Sequence, residues 1–228
     1  MHNTVPIVKH LVLVGGGHAH ALVIRMWAMK PLAGVRVTLI SPNWQTPYSG
    51  MLPGLLAGHY QSNDIHIDLR RLCTWAGVRF IEDSVQGITP GQNQLQLSAH
   101  PTIQYDTLSL DIGSTPDLSI PGLNEFAQAV KPINLFYPRY LACIKRCRDN
   151  VASSSRKQKY AIAIVGGGAG GVEVALAMAE ALSDLKNRIL ISLAIRGNTV
   201  LPSYSSSISN ACISALKLAG IVLHYNFD

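Results

Sequence analysis

The segment that decides the fold is residues 11–20, LVLVGGGHAH. Its first four residues are apolar, which is typical of a parallel strand that is covered on both faces. The three glycines then allow a tight turn, and residues 21–29 have helical spacing. A second strand is predicted for residues 35–40, VRVTLI. Together these segments predict a β-α-β unit whose glycine turn binds a dinucleotide pyrophosphate at the positive end of the helix dipole.

The same pattern occurs a second time in the chain. Residues 161–171, AIAIVGGGAGG, lead into a predicted helix at residues 172–185 and a predicted strand at residues 188–195. One glycine motif alone is a weak signal, whereas two copies in a strand-turn-helix context are a strong one. We therefore predict the α/β class, with two Rossmann-like dinucleotide-binding domains of the three-layer ββα type and parallel sheets.

The two glycine motifs differ at their third glycine. The second motif has all three glycines of the G-x-G-x-x-G pattern, whereas the first has His20 in the third position. The third glycine normally permits close packing of the helix against the strand. His20 therefore predicts either a slightly displaced helix or a ring that is used at the binding site. The spacing of His18 and His20 points their rings apart, and we expect no metal site there.

An acidic residue usually closes the second strand of such a unit and binds a ribose hydroxyl. It is missing from both units, since Ser41 ends the first and Arg196 ends the second. Arg196 indicates a 2′-phosphate and hence NADPH, with an ordinary surface arginine as the alternative. The choice between NADH and NADPH stays open.

The segment between the motifs predicts a shaped loop followed by β structure. Residues 43–60 contain prolines, glycines and aromatic residues without a period. They leave the carboxyl edge of the second strand, where ligands of open α/β sheets bind. A β-hairpin insertion is then predicted within residues 78–111. The expected elements are strands at residues 64–68, 78–81, 94–97 and 107–110 and a helix at residues 69–75.

A domain boundary is predicted near residue 155. An amphipathic helix is expected at residues 135–147, and residues 150–159 are polar and rich in serine, which is typical of a linker. The basic cluster at residues 156–159 is interpreted as part of this solvated linker. The second domain is expected to continue with a helix at residues 208–218 and a strand at residues 221–225.

Composition and charge argue against several other classes of protein. The 228 residues are 48% hydrophobic and 14% charged, as expected of a globular enzyme domain. The net charge is +6, but the basic residues are scattered, and we expect no nucleic-acid partner. Glycine triplets interrupt the apolar stretches at residues 11–29 and 161–182, which predicts buried elements rather than membrane spans. Because no secretory leader is evident, a cytoplasmic location is expected.

The four cysteines show neither a Cys-x-x-Cys nor a Cys-x4-Cys spacing, which would mark a redox dithiol or a metal clip. Cys143 and Cys147 lie one helical turn apart. We interpret them as two thiols on an amphipathic helix, with redox sensing as the alternative. A disulfide reductase is disfavoured, because no redox pair of cysteines follows the first helix.

Together these motifs resemble the two-dinucleotide-binding-domain flavoproteins and, among them, the type II NADH dehydrogenase-like group. Residues 166–175, GGGAGGVEVA, are similar to the NAD motif of that group. Residues 105–114, YDTLSLDIGS, are similar to its second FAD motif, which usually ends in Ala-Thr-Gly. More narrowly, residues 15–20 and 46–54 together resemble the oxidoreductase domain that is fused to, or encoded beside, selenide, water dikinase.

The resemblance implies FAD and NAD(P)H as cofactors. Residues 1–155 become the first portion of an FAD-binding domain, and residues 156–228 an incomplete NAD(P)H-binding domain. The C-terminal part of such proteins, which closes the FAD site and adds a dimer-forming or membrane-facing domain, is expected to be missing. The residues expected at the FAD site are Gly15, Gly17, His18, His20, Ser41, Tyr48, Pro53, Val85 and Gly113. Those expected at the NAD(P)H site are Gly166, Gly168, Ala169, Gly171, Glu173 and Arg196.

The function that the resemblance implies is hydride transfer from NAD(P)H to the flavin, followed by passage of electrons to a quinone or another small acceptor. Glu173 is the catalytic candidate and would face the nicotinamide. The alternative is an acid that only stabilises the first turn of its helix. A rival function is a nucleotide-binding module without turnover, associated with selenide, water dikinase. Peripheral membrane contact through the missing C-terminal part is a further option.

Overall fold

The computed structural model describes residues 6–117, 119, 121–154 and 158–227. In chain order, its strands are β1 (Lys9–Val14), β2 (Val35–Ser41), β3 (Gln45–Pro47), β4 (His66–Asp68), β5 (Arg79–Glu82), β6 (Val85–Thr89), β7 (Gln94–Leu97), β8 (Ile103–Gln104), β9 (Thr107–Leu110), β10 (Tyr160–Val165), β11 (Ile189–Ala194) and β12 (Val222–His224). Its helices are α1 (His18–Met29), α2 (Leu52–Leu56), α3 (Leu69–Ala76), α4 (Leu123–Phe126), α5 (Ile133–Ser153), α6 (Ala169–Ala181) and α7 (Ser206–Leu218). Short 3-10 helices lie at Ser49–Met51, Ser62–Ile65, Pro90–Gln92 and Ser183–Leu185.

The chain forms two compact units that are not consecutive in the sequence. Unit 1 comprises Met1–Tyr48 and His66–Asp117, and unit 2 comprises Ser49–Ile65 and Leu118–Asp228. The units therefore divide the chain at other places than the single boundary expected near residue 155, a position that lies outside the described residues together with Arg156 and Lys157 of the basic cluster. The assignment of FAD to residues 1–155 and of NAD(P)H to residues 156–228 stays a prediction.

Unit 1 is built on a parallel sheet with the strand order β5-β2-β1-β9. Helices α1 and α3 cover one face, where Leu13 and Leu39 pack with Ile24 and Leu69. The antiparallel sheet β6-β7-β8 covers the other face. The residues buried on that side are Val12, Val14, Ile40, Ile81 and Leu95. These three layers confirm the predicted ββα arrangement.

Unit 2 contains a second parallel sheet, with the strand order β10-β11-β12. Its core joins Ile191 and Leu193 of β11 to Ala175 and Met178 of α6 and to Leu216 of α7. Both predicted β-α-β units are therefore present, and the α/β class with parallel sheets is confirmed.

The other face of the sheet in unit 2 is exposed. Ala163 and Val165 of β10 are exposed, the latter to 72%, although the equivalent residues of β1, Val12 and Val14, are buried beneath the antiparallel sheet. Leu190 of β11 lies on the same face and is 45% exposed. This apolar strip distinguishes the second sheet from the first.

Residues 43–60 contain more regular secondary structure than the shaped loop that their composition predicts. They contain β3, which pairs antiparallel with β4, followed by a 3-10 turn and α2. The expected strand at residues 64–68 is correspondingly shorter, because a 3-10 helix occupies its first part. Leu52, Leu55 and Leu56 are buried at helical spacing, and Pro53 lies in the first turn of α2, where a missing N–H is tolerated. Because proline and glycine have low helix propensity, composition alone does not predict this helix.

The expected linker at residues 150–159 is wrong in its first part, because α5 continues through Ser153. Side chains from elsewhere in unit 2 bind the end of this helix. The Tyr160 hydroxyl donates to Asn150 O at 3.1 Å, and the Arg188 guanidinium donates to Val151 O at 3.4 Å and to Ser154 Oγ at 2.8 Å. Because unsatisfied carbonyl groups weaken a helix end, these contacts support a turn that the low helix propensity of Asn and Ser does not predict.

Asp83 joins the end of β5 to the segment after β7. Its carboxylate accepts hydrogen bonds from the N–H groups of Ser84 at 2.7 Å and of Ala99 and His100 at 3.0 Å each. The ring Nδ1 of His100 donates to it at 2.8 Å. The His100 ring is the largest cause that lowers the pKa of Asp83 to about 2; the backbone donors add to it, and desolvation opposes them. The N–H of Asp83 also donates to Ser41 O at 3.1 Å.

We predict that this carboxylate makes the stability of the fold depend on acid pH. Because folding lowers its pKa from 3.8 to about 2, its stabilising effect is present above pH 3.8 and is lost as the pH falls toward 2. Asp83→Asn should lower the midpoint of thermal unfolding at neutral pH, and the difference from the wild type should shrink through that acid range. A difference that stays constant across the range would contradict the assignment.

Candidate functional site

The first glycine turn joins β1 to α1 and lies against the end of β9. Gly15 has φ +95°, and a Cβ there would come within 2.2 Å of Asp111 O. The N–H of Gly15 donates to Ile40 O at 2.8 Å, and the N–H of Gly17 donates to Asp111 O at 3.1 Å. Both the conformation and the lack of space therefore require glycine at residue 15.

The two histidines of the first motif lie in different environments. His18, the first residue of α1, is exposed, and the edge of its ring meets the Tyr48 ring at a centroid distance of 5.5 Å. His20 is buried, with Nδ1 2.8 Å from Gly15 O and Nε2 2.9 Å from Ser109 Oγ. Since a carbonyl oxygen only accepts, Nδ1 carries the proton. The His20 ring therefore links the glycine turn to β9 through both of its nitrogens.

The second glycine turn joins β10 to α6 in unit 2. Gly166 has φ +118°, and its N–H donates to Ala194 O at 2.8 Å. A Cβ on Gly171 would lie 1.9 Å from Gly166 O, which is a backbone atom. Glycine at residue 171 thus allows α6 to approach the turn that precedes it.

The carbonyl group of the first glycine has a different neighbour in each of the two turns. Gly15 O of the first turn is equivalent to Gly166 O of the second. In the second turn this oxygen excludes a side chain at residue 171, whereas in the first it accepts a hydrogen bond from the side chain at the equivalent residue, His20. The replacement of glycine by histidine is therefore accompanied by a new hydrogen bond.

Both turns have features that a dinucleotide pyrophosphate requires. The helices α1 and α6 begin after Gly17 and Gly168, and neither residue can supply a side-chain cap to the first N–H groups. An anion bound at either helix start would accept hydrogen bonds from those groups. The residues of the two turns therefore fit FAD and NAD(P)H. Among the described residues, no three His, Cys, Asp or Glu side chains are grouped so that they could hold a metal ion.

A sequence model of the family described as pyridine nucleotide-disulphide oxidoreductase matches residues 9–227. The chain belongs to this family. The NADH dehydrogenase-like protein YutJ of Bacillus subtilis (strain 168) is 27% identical to it over 210 residues, which are 88% of this chain and 52% of YutJ. The chain thus spans about half the length of this relative.

Solved structures share the fold of this oxidoreductase chain. NDH2 from Plasmodium falciparum matches 96% of it with 48% of its own chain, at a TM-score of 0.75 and 20% identity. The sulfide:quinone oxidoreductase of Aquifex aeolicus matches 96% of it with 51% of its own chain, at a TM-score of 0.76 and 18% identity. The fold that the sequence predicts is confirmed, and its predicted class, a pyridine-nucleotide oxidoreductase, is confirmed by the family.

The other residues expected at the FAD site are spread over both units. Ser41 is buried at the end of β2, and its hydroxyl donates to Asn43 O at 3.0 Å. Val85 begins β6 and packs against the core beneath the antiparallel sheet. Gly113 has φ +74° and open space at its Cβ position. Pro53 belongs to α2 in unit 2, whereas Tyr48 and the first glycine turn belong to unit 1.

The segment after β11 folds back onto the second glycine turn. The N–H of Leu201, a buried residue with φ +52°, donates to Gly167 O at 2.7 Å. Arg196 is exposed at the start of this segment. The residues after Arg196 also form a pocket of about 340 Å³, which the sequence analysis does not predict. The only signal for this pocket in the sequence is a run of polar residues. Its lining is Asn198, Thr199, Pro202, Tyr204, Ser206, Ser209 and Asn210.

Helix α6 begins three residues earlier than the helix expected at residue 172, because Ala169 is its first residue. Glu173 is exposed and lies beyond the first turn. Since the interaction of an acid with the helix dipole falls off within the first turn, the dipole explanation for Glu173 loses its basis. Its catalytic role stays a prediction.

The environment of the cysteines bears on the alternative of redox sensing, and the length and apolarity of the helices bear on membrane spanning. All four cysteines are free, and burial raises the pKa of the Cys73 thiol to about 12. Burial also raises the pKa of the Cys147 thiol, and Cys143 beside it adds to this effect. A thiol with a raised pKa reacts slowly, which favours the interpretation of Cys147 as a helix thiol. Within the described ranges, no helix combines the length and apolarity that crossing a membrane requires.

We predict that Gly171→Ala destabilises unit 2, because the new Cβ would overlap Gly166 O. Overpacking of this kind costs roughly 1–3 kcal/mol. Gly170→Ala is the matched control, since a Cβ at residue 170 meets no atom within 4 Å and alanine favours a helix. Denaturant unfolding should place the Gly171→Ala midpoint below that of the wild type and the Gly170→Ala midpoint at or above it. Equal midpoints for the two variants would refute the close contact.

Proposed function

We propose that this chain is the nucleotide-binding part of an FAD-dependent NAD(P)H oxidoreductase. The observation that carries the proposal is the pair of glycine turns, each of which leads from a parallel strand into a helix whose N-cap residue is a glycine. Family membership supports it, because the family is one of pyridine-nucleotide oxidoreductases. As this chain spans about half of YutJ, the activity of the whole protein is part of the proposal.

In unit 1, the first turn would hold the FAD pyrophosphate. The N–H groups at the start of α1 would donate to it, and the ring of His18, with Tyr48 beside it, would border the nucleotide. Gly113 would leave space for the flavin nucleotide at the end of β9. When bound, the flavin supplies the redox chemistry by accepting a hydride at N5.

In unit 2, the second turn would hold the NAD(P)H pyrophosphate in the same way, at the start of α6. No catalytic acid-base pair is needed for hydride transfer, so the work of this chain is to position the donor and to exclude water. Glu173, exposed on α6, is the candidate contact of the nicotinamide.

A quinone is the proposed electron acceptor, and the name of one similar protein, the sulfide:quinone oxidoreductase of Aquifex aeolicus, supports it. A water-forming NADH oxidase of Lactobacillus brevis also shares the fold, with a TM-score of 0.67, so another small acceptor is the alternative to a quinone. Association with selenide, water dikinase is a narrower proposal that rests on the resemblance of residues 15–20 and 46–54. A cytoplasmic location with peripheral membrane contact is likewise proposed.

The test of the function is the flavin spectrum of the purified 228-residue chain. We expect a yellow protein after mixing with FAD and gel filtration, and bleaching of the flavin band by NADH or NADPH under anaerobic conditions. Reoxidation by a soluble quinone would then support the acceptor. A protein that retains FAD but is never bleached would instead support the module without turnover, and one that never retains FAD would refute FAD binding by this chain.

Arg196 is proposed to select NADPH through the 2′-phosphate, because it follows the strand at which an acidic residue otherwise binds the ribose. Arg196→Ala should weaken NADPH binding by roughly tenfold to a hundredfold, since a charge-assisted hydrogen bond is worth roughly 1.5–3 kcal/mol, and it should leave NADH binding unchanged. Titration of both nucleotides against wild type and variant measures this. Equal effects on the two nucleotides, or tighter NADH binding by the wild type, would count against the proposal.

A further inference from the structure

The carboxylate of Asp111 lies directly over the second glycine of the first turn. A Cβ on Gly17 would come within 2.2 Å of Cγ and of both carboxylate oxygens of Asp111. The Oδ2 atom accepts a hydrogen bond from the N–H of His20, in the first turn of α1, at 3.2 Å. Asp111 also accepts the Gly17 N–H through its backbone oxygen. It thus contacts the start of α1 through both main chain and side chain.

This position matters because the second glycine of a dinucleotide turn gives the pyrophosphate room to approach the backbone. The N–H groups of the first helical turn and the positive end of the dipole attract an anion to the same place. In this chain the anion present there is a carboxylate of the protein itself.

The second turn provides the contrast within the same chain. Gly168, the equivalent of Gly17, has no atom within 4 Å of its Cβ position. In the part of the chain that the structure describes, no strand pairs with β10 on the side where β9 pairs with β1, so the position over Gly168 is open.

We propose that Asp111 sets the affinity of the first turn for a dinucleotide. Its carboxylate competes with the pyrophosphate for the start of α1, so FAD binds there only when that side chain moves aside. The competition is both steric, over Gly17, and electrostatic, since the two anions repel each other. This inference rests on the proposed function, because it assigns FAD to the first turn.

The test compares FAD binding by the wild-type chain, Asp111→Asn and Asp106→Asn through the quenching of flavin fluorescence. Asp111→Asn keeps the shape and an oxygen that can accept from His20. Asp106→Asn is the matched control, because it removes the same charge at the opposite end of β9, where Asp106 binds Lys9 and the His10 N–H. We expect the Kd of Asp111→Asn to fall about tenfold or more and that of Asp106→Asn to stay unchanged.

Unchanged or weaker FAD binding by Asp111→Asn, while the wild type binds FAD, would overturn this inference and leave the proposed function intact. If Asp111→Asn does not fold, Asp111→Ala takes its place, with the same expected direction. If no protein binds FAD, the flavin proposal fails, and inorganic pyrophosphate then probes the turn alone. It should raise the thermal midpoint of the Asp111 variant more than that of the wild type, and an equal rise would overturn the inference.

Discussion

The close approach of a helix to the turn that precedes it is the constraint on which both nucleotide units depend. In unit 2 this approach leaves 1.9 Å between Gly166 O and the place where a Cβ of Gly171 would be. In unit 2, the strand, the turn and the helix can be joined so tightly because residue 171 has no side chain. Helix α6 then carries the chain back to the edge of the sheet where β10 begins. Because β11 starts at that edge, it runs parallel to β10.

Unit 1 satisfies the same constraint with a different chemistry. His20 has a side chain where Gly171 has none, and its buried ring connects Gly15 O to Ser109 on β9. Asp111, which directly follows β9, accepts hydrogen bonds from the N–H groups of Gly17 and His20. The first turn is thus tied to β9 by polar contacts, whereas the second accepts a hydrogen bond from the Leu201 N–H and meets α6 at a residue without a side chain. These differences affect the conformational rigidity of each turn in the absence of a ligand.

Much of this fold can be predicted from the sequence, because its main signals are local. The strands β1 and β10 are continuous apolar runs that end in glycine triplets, and the helices after them have clear spacing. Helix α2 was hidden by Pro53 and Gly54, and the last turn of α5 depends on Tyr160 and Arg188, which are distant in sequence. The placement of residues 49–65 in unit 2 depends on long-range contacts that no local pattern records. The position of Asp111 over Gly17 depends in turn on β9 lying next to β1.

The exposed apolar face of β10 and β11 has a consequence for the behaviour of the chain in solution. In unit 1 the equivalent face is covered by an antiparallel sheet, whereas Val165 and Leu190 present theirs to water. Exposed apolar side chains on a sheet face favour self-association. The net charge of +6 opposes it by mutual repulsion, and dissolved salt screens that repulsion. The colloidal stability of the chain is therefore a balance between these two forces, and it shifts toward aggregation as ionic strength rises.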